Sequence, residues 1–360
     1  MRHLAITALT GACLTLVHAQ DSTKDFAVKA DQFVGAYVQQ NKFIGSVLVA
    51  RDGKPIFRKG YGLANQEWGV PNTADTKFRL GSITKQFTAT CIMQLVEAGK
   101  LKLDDPVSKF YSDSPSAWGK ITIHHLLTHT SGIPSYTELP GFFQKEAMTD
   151  RTPEEIIKLT QDKPLEFEPG EKFKYDNTGY IILGYVIEKV SGEKYAGYLQ
   201  KHIFEPLGMR DTGYDMARDI IPHRASGYNY TGAKWINAPY LAMSLPYAAG
   251  SLYSTVDDLL IWDQALYASK PLTAASLRKM FTPNKSNYGY GWFMSEDGKM
   301  IGHNGGINGF STVINRYPAD KLTVIVLANM NTGAVGQIAT GLEGLLHGEK
   351  VEPPQSSPNK

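Results

Sequence analysis

The stretch "FRLGSITKQFTATCIMQLVEAG", residues 78–99, places a lysine three positions after a serine at the head of a nearly all-apolar run. Ile83, Phe87, Cys91 and Leu95 recur every fourth residue, with Ile92 and Val96 on a neighbouring face. That pattern predicts a helix buried on most sides. Residues three apart on a helix share a face, so Lys85 is expected over Ser82, within reach of its hydroxyl. Burial disfavours the ammonium and makes a neutral amine base accessible near neutral pH. A serine hydroxyl is a poor nucleophile without such a base. The spacing alone is weak evidence, because Ser191/Lys194 in "SGEK" and Ser276/Lys279 in "SLRK" repeat it in polar surroundings. A capping serine beside a snorkelling lysine would look the same. Gly81, just before the serine, lets the backbone turn sharply into the helix.

Two further clusters add chemistry. Tyr175-Asp176-Asn177 precedes a helical stretch, and His303-Asn304-Gly305 ends a candidate edge strand. Singly, these read as a core tyrosine, a helix-capping asparagine and a packed histidine. In order along one chain they supply a nucleophile, two proton-transfer groups, an amide donor and a strand that can face a substrate. No G-x-S-x-G elbow occurs, which removes the marker of the α/β-hydrolases. His125 and His129 in "ITIHHLLTHTSG" are four apart and could share a helix face, but no glutamate follows His125 and no cysteine is near. No metal and no cofactor are expected.

The elements that must position these residues are legible in outline. "FIGSVLVAR" and "PIFRKGYGLAN", joined at Asp52-Gly53, read as a hairpin. "YGYGWFMS", "KMIGH", "GFSTVINRY" and "KLTVIVLAN" are strand candidates near the other end. The expected fold class is α/β of the α+β type: an antiparallel sheet assembled from both chain ends, with a mostly helical insertion between. The sheet part is placed at about 20–80 and 285–348, and the insertion at about 81–284. "PEEIIKLTQ", "TGYIILGYVIEKVSGEKYAGYLQKHIF" and "TVDDLLIWDQALY" supply helical patterns there. Residues 349–360 read as a disordered tail.

Composition bounds the rest. The 360 residues are 42% apolar with a formal net charge of +2, ample for a large core. No run of like charges argues for nucleic acid as a partner. Residues 1–19 have a basic start, an apolar stretch and a small-residue exit, the pattern of a cleaved export signal. They are too short for a spanning helix. A lipidated Cys13 is the lesser alternative. The mature chain is expected to be secreted or periplasmic, without a membrane span, and Cys91 is then its lone cysteine.

From "FRLGSITK" through "ITIHHLLTHTSGIP", "EPGEKFKYDNTGYIILG", "PLGMRDTGY" and "AAGSLYSTVDDLLIW" to "GHNGGINGF", the chain resembles the serine β-lactamase and penicillin-binding-protein superfamily. The resemblance is to its class C β-lactamase-like branch, which also holds D-peptidases, D-aminopeptidases and certain carboxylesterases. It implies an antiparallel sheet with flanking helices beside a helical subdomain, and a hydrolase working through an acyl-enzyme. By that resemblance Ser82 is the nucleophile, Lys85 its base or base partner and Tyr175 a proton relay. Asn177 would hold Lys85 and the substrate, with Asn304 and Gly305 on the substrate strand. The backbone N–H groups of Ser82 and Gly306 would form the oxyanion hole. Expected partners are small molecules or peptides: D-amino-acid peptides, β-lactams or esters. A carboxylesterase of the same fold with little β-lactamase activity, or a non-catalytic binder of peptidoglycan fragments, is the alternative. Many relatives place lysine at the head of the third motif where this chain has His303. A histidine there is mostly neutral at pH 7 and is expected to bind a substrate carboxylate only when protonated, so efficient penicillin hydrolysis is not expected.

Overall fold

The computed structural model describes residues 24–354. The expected export signal lies outside the described residues. Helix α1 covers residues 24–39, then β1 (Gly45–Arg51) and β2 (Lys54–Tyr61) form the hairpin around Asp52-Gly53. Helices α2 (Thr84–Glu97), α3 (Asn177–Ser191) and α4 (Val256–Tyr267) dominate the middle. β3 (Phe293–Met294), β4 (Ile301–Ile307), β5 (Phe310–Tyr317), β6 (Leu322–Ala328) and α5 (Ala334–Leu346) close the chain.

The strands make one antiparallel sheet in the order β3-β4-β5-β6-β1-β2. The last strand pairs with the first, Val47 opposite Val326 and Leu48 opposite Ile325. Because side chains alternate across a sheet, Val47, Val49, Val324 and Val326 face one core, packed with Phe33 and Val34 of α1 and Ile338 and Leu342 of α5. Leu48, Ile325 and Leu327 face the other, against α2 and α4. Arg316 of β5 donates from Nε to Asp263 of α4 at 2.8 Å, and Thr323 of β6 donates to the same carboxylate at 2.7 Å. Both charged side chains are buried, so this pair ties α4 to the sheet.

Three expectations are corrected. "YGYGWFMS" yields only the two-residue β3, because a turn closed by Gly289 N–H to Trp292 O, with Gly291 at φ +78°, precedes it. The long helical pattern from residue 178 breaks at Gly192, which caps α3 in the left-handed conformation at φ +75°. The segment read as a tail is docked where it begins: Val351 packs on the core under α1 and α5, and Gln40 Nε2 donates to Pro354 O at 2.7 Å.

Candidate active site

Ser82 sits in a 3₁₀ turn, Gly81–Ile83, that runs into α2. Gly81 has φ +55°, and a Cβ there would lie 2.9 Å from both N and O of Gly306. Glycine is required both for the turn and for the approach of β4. The strand position before Gly306 is also tight: a Cβ on Gly305 would meet Leu80 O at 1.9 Å, and Thr312 Oγ1 donates to that same oxygen at 2.7 Å. The serine turn is thus clamped against β4, with Ser82 and Gly306 both facing one cleft of about 320 Å³.

Lys85, one turn on, is completely buried. Its Nζ lies 3.3 Å from Ser82 Oγ, 2.8 Å from Asn177 Oδ1 and 3.0 Å from the Ala249 carbonyl. Burial pulls its pKa down to about 7, opposed by the charge of Asp176. The ammonium is therefore only marginally favoured at neutral pH, and the neutral amine can take a proton. The rings of Tyr175 and Tyr180 lie 4.7 and 5.3 Å from Nζ.

Asn177 is not the cap of its helix. Asp176 is, accepting from the N–H groups of Thr178 at 2.7 Å and Gly179 at 3.0 Å. That leaves the Asn177 side chain free for the site. Its Nδ2 donates to Thr137 Oγ1 at 3.0 Å, which orients Oδ1 toward Lys85. Tyr175 precedes the cap. Its hydroxyl is buried and closes no hydrogen bond among the described residues. Burial raises the phenol above its ordinary pKa, opposed by the nearby Ser82 hydroxyl. A neutral Tyr175 beside Ser82 can pass a proton without being a base itself.

His303 departs from expectation. It is 3% exposed, with Nδ1 2.6 Å from Asn304 O and Nε2 3.1 Å from Tyr288 Oη. Both ring nitrogens are engaged, and Tyr288 and Phe293 pack around the ring. Burial drives its pKa down to about 3, with Lys85 adding to the effect, so the imidazole is neutral throughout the working range. It braces β4 from a buried position. Asn304 is exposed, and Gly305 is the contact point with Leu80.

His125 and His129 do not share a helix face. The helix ends at Leu127, and His129 is left-handed at φ +55°. His125 Nδ1 accepts from Thr122 N at 3.2 Å as part of the helix cap. His129 is the residue that spacing did not reveal: Nδ1 accepts from Asp176 N at 3.0 Å, and its ring lies 4.3 Å from that of Tyr175. The signal was its place in a "THTSG" loop rich in residues that bond to backbone.

The cleft wall is apolar on one side, with Tyr136, Phe142, Phe143, Leu245 and Ile307, and polar where Ser82, Asn177 and Asn308 meet. A buried amine beside a serine hydroxyl, two backbone segments converging on that hydroxyl and an uncommitted phenol can support acyl transfer through a serine ester.

Known proteins are similar to this chain in sequence and fold. A family profile described as Beta-lactamase matches residues 30–347. The chain is 34% identical to a Bacillus subtilis protein named putative penicillin-binding protein PbpX, over 89% of this chain and 80% of that one. It superposes on a penicillin-binding protein from Bacillus halodurans with TM-score 0.77 and 30% identity, covering 87% and 98% of the two chains. It also superposes on a D-stereospecific amidohydrolase from Streptomyces with TM-score 0.70 and 28% identity, covering 85% and 97%. The chain belongs to the Beta-lactamase family, within the serine β-lactamase and penicillin-binding-protein superfamily of serine hydrolases.

Proposed function

We propose that this chain is an exported serine hydrolase that forms an acyl-enzyme on Ser82 and cleaves amide or ester bonds in small peptides of the D-amino-acid type or in simple esters. The observation that carries the reading is the buried Lys85 amine, 3.3 Å from Ser82 Oγ and 2.8 Å from Asn177 Oδ1. In the proposed reaction Lys85 takes the Ser82 proton as Oγ attacks the carbonyl carbon. The N–H groups of Ser82 and Gly306 hold the oxyanion, and Tyr175 with Lys85 returns the proton to the departing nitrogen or oxygen. Water then attacks the ester carbonyl and frees Ser82.

The similarity to penicillin-binding proteins and a D-stereospecific amidohydrolase supports an amide substrate. The apolar wall around Phe142 and Leu245 supports an apolar group beside the scissile bond. A neutral His303 offers no fixed cation on the third-motif strand, which supports low activity toward penicillins. It also favours esterase activity as the second reading. Export rests on residues 1–19; N-terminal sequencing of the secreted form is expected to begin at Gln20.

A fluorophosphonate or a p-nitrophenyl ester is expected to add mass to one peptide containing Ser82, with Ser82→Ala unlabelled and folded. Labelling at Ser131, Ser191 or Ser276 overturns the assignment. A panel of D-amino-acid amides, D-Ala-D-Ala peptides, short esters and nitrocefin ranks the substrates.

A further inference from the structure

A second groove opens beside the cleft. It measures about 370 Å³ and is lined by Arg79, Arg224, Asn237, Tyr240, Asn308 and Phe310. Asn308 lines both spaces, so the two meet at the end of β4. Arg79 Nε donates to Asp215 Oδ2 at 2.7 Å, and Arg224 Nη1 donates to Oδ1 at 2.6 Å. The Asp215 side chain is fully buried, while the two arginine side chains keep 17% and 25% of their surface. One sequestered carboxylate therefore fixes two guanidinium groups and leaves the groove with a surplus positive charge. Only one donor atom of each arginine serves Asp215. A guanidinium held in place by such a partner loses little freedom when it binds a second carboxylate.

The direction of the substrate follows from the proton-transfer groups. Tyr175 lies toward His303, with ring centroids 6.2 Å apart, so a leaving group that takes its proton from Tyr175 departs at that end of β4. The acyl portion extends the other way, past Gly306 to Asn308. We propose that the Arg79–Arg224 groove is an acyl-side subsite for a carboxylate, so that acyl groups ending in a carboxylate are preferred over the same groups capped as esters. This rests on the acyl-enzyme reading of Ser82.

The test uses p-nitrophenyl monoesters of dicarboxylic acids of four to eight carbons, each beside its ω-methyl ester. At the best chain length, wild type is expected to favour the free carboxylate in kcat/KM. Arg224→Gln is expected to lower that ratio about ten- to a hundredfold, the range of a hydrogen bond to a charged group. The methyl-capped ester serves as the internal reference for each variant, thermal unfolding shows that the variant is folded, and Arg224→Lys keeps part of the preference. A ratio near one in wild type at every length, or an equal ratio in Arg224→Gln, overturns the subsite. Failure of the Ser82 reading looks different: neither ester acylates Ser82. In that case calorimetric titration of wild type and Arg224→Gln with the half-amides of the same diacids decides the subsite alone. Tighter binding to wild type supports it, and equal binding refutes it.

Discussion

The imidazole of His129 lies against the phenol ring of Tyr175, with centroids 4.3 Å apart and planes inclined by 35°. The same histidine accepts the N–H of Asp176, the residue that caps α3 and sets where Asn177 begins. One side chain therefore positions two members of the site without touching Ser82 or Lys85 by hydrogen bond. His129→Ala is expected to lower kcat roughly ten- to a hundredfold, as small misplacements of catalytic groups do, with KM little changed. His129→Asn restores the acceptor and tolerates the left-handed backbone, so it should recover part of the loss. Steady-state kinetics on one ester checks both, and a KM effect without a kcat effect would refute the positioning role.

The pH profile should report Lys85 together with Asp176, whose buried carboxyl is itself raised to about 7 and interacts with the amine. The Lys85 pKa is held at about 7, so below that value the amine is protonated and cannot accept the Ser82 proton. kcat/KM is expected to fall about tenfold per pH unit on the acid side and to level off above neutrality. His303, at about 3, contributes no inflection between pH 5.5 and 8.5. His303→Gln should keep the same inflection. The expected gain in carboxylate binding through histidine protonation is withdrawn with it.

Adjacent glycines should behave in opposite ways. A Cβ at Gly305 collides with the Leu80 carbonyl, whereas a Cβ at Gly306 meets nothing within 4 Å. Gly305→Ala is expected to push β4 off the nucleophile turn and to lower Ser82 acylation by about a hundredfold or more. Gly306→Ala should fold normally, with a melting temperature near wild type. Burst kinetics with thermal unfolding separates the two.

Phe143 is half-exposed at the mouth of the cleft. Phe143→Ala should raise KM several-fold for esters with long or aromatic acyl chains, the scale of losing part of an apolar contact, and leave acetyl esters unaffected. Equal effects on all chain lengths would remove Phe143 from the substrate path.

The Ser82–Lys85 pair was legible because three-residue spacing on an apolar helix fixes two side chains on one face without tertiary information. The sheet from both ends was legible in its short runs of β-branched and aromatic residues bounded by turn signals. What spacing could not show came from contacts made across the fold. The Ala249 carbonyl on Lys85 is a backbone group with no residue-type signature. The loss of His303 to the interior follows from Tyr288 and Phe293 closing over it. Helix α5 carries Gly336, Gly341 and Gly344, which weaken a helical reading. A Cβ on Gly341 would lie 2.3 Å from the Phe33 ring, so that glycine is a packing requirement of α1 against α5. Asn177 read as a cap because the true cap, Asp176, stands one residue earlier.

The clamp between β4 and the serine turn also has a consequence for the order in which the site assembles. Thr312 and Leu80 are joined by a hydrogen bond although 232 positions separate them, and β1 has no neighbour on one side until β6 exists. Pairings so distant in sequence close late in folding. A chain emerging from the ribosome presents Ser82 long before the strand that carries Gly306. On the acyl-enzyme reading, the hydroxyl stays chemically ordinary until the C-terminal strands arrive, so a polypeptide still being made carries Ser82 in an unarmed form.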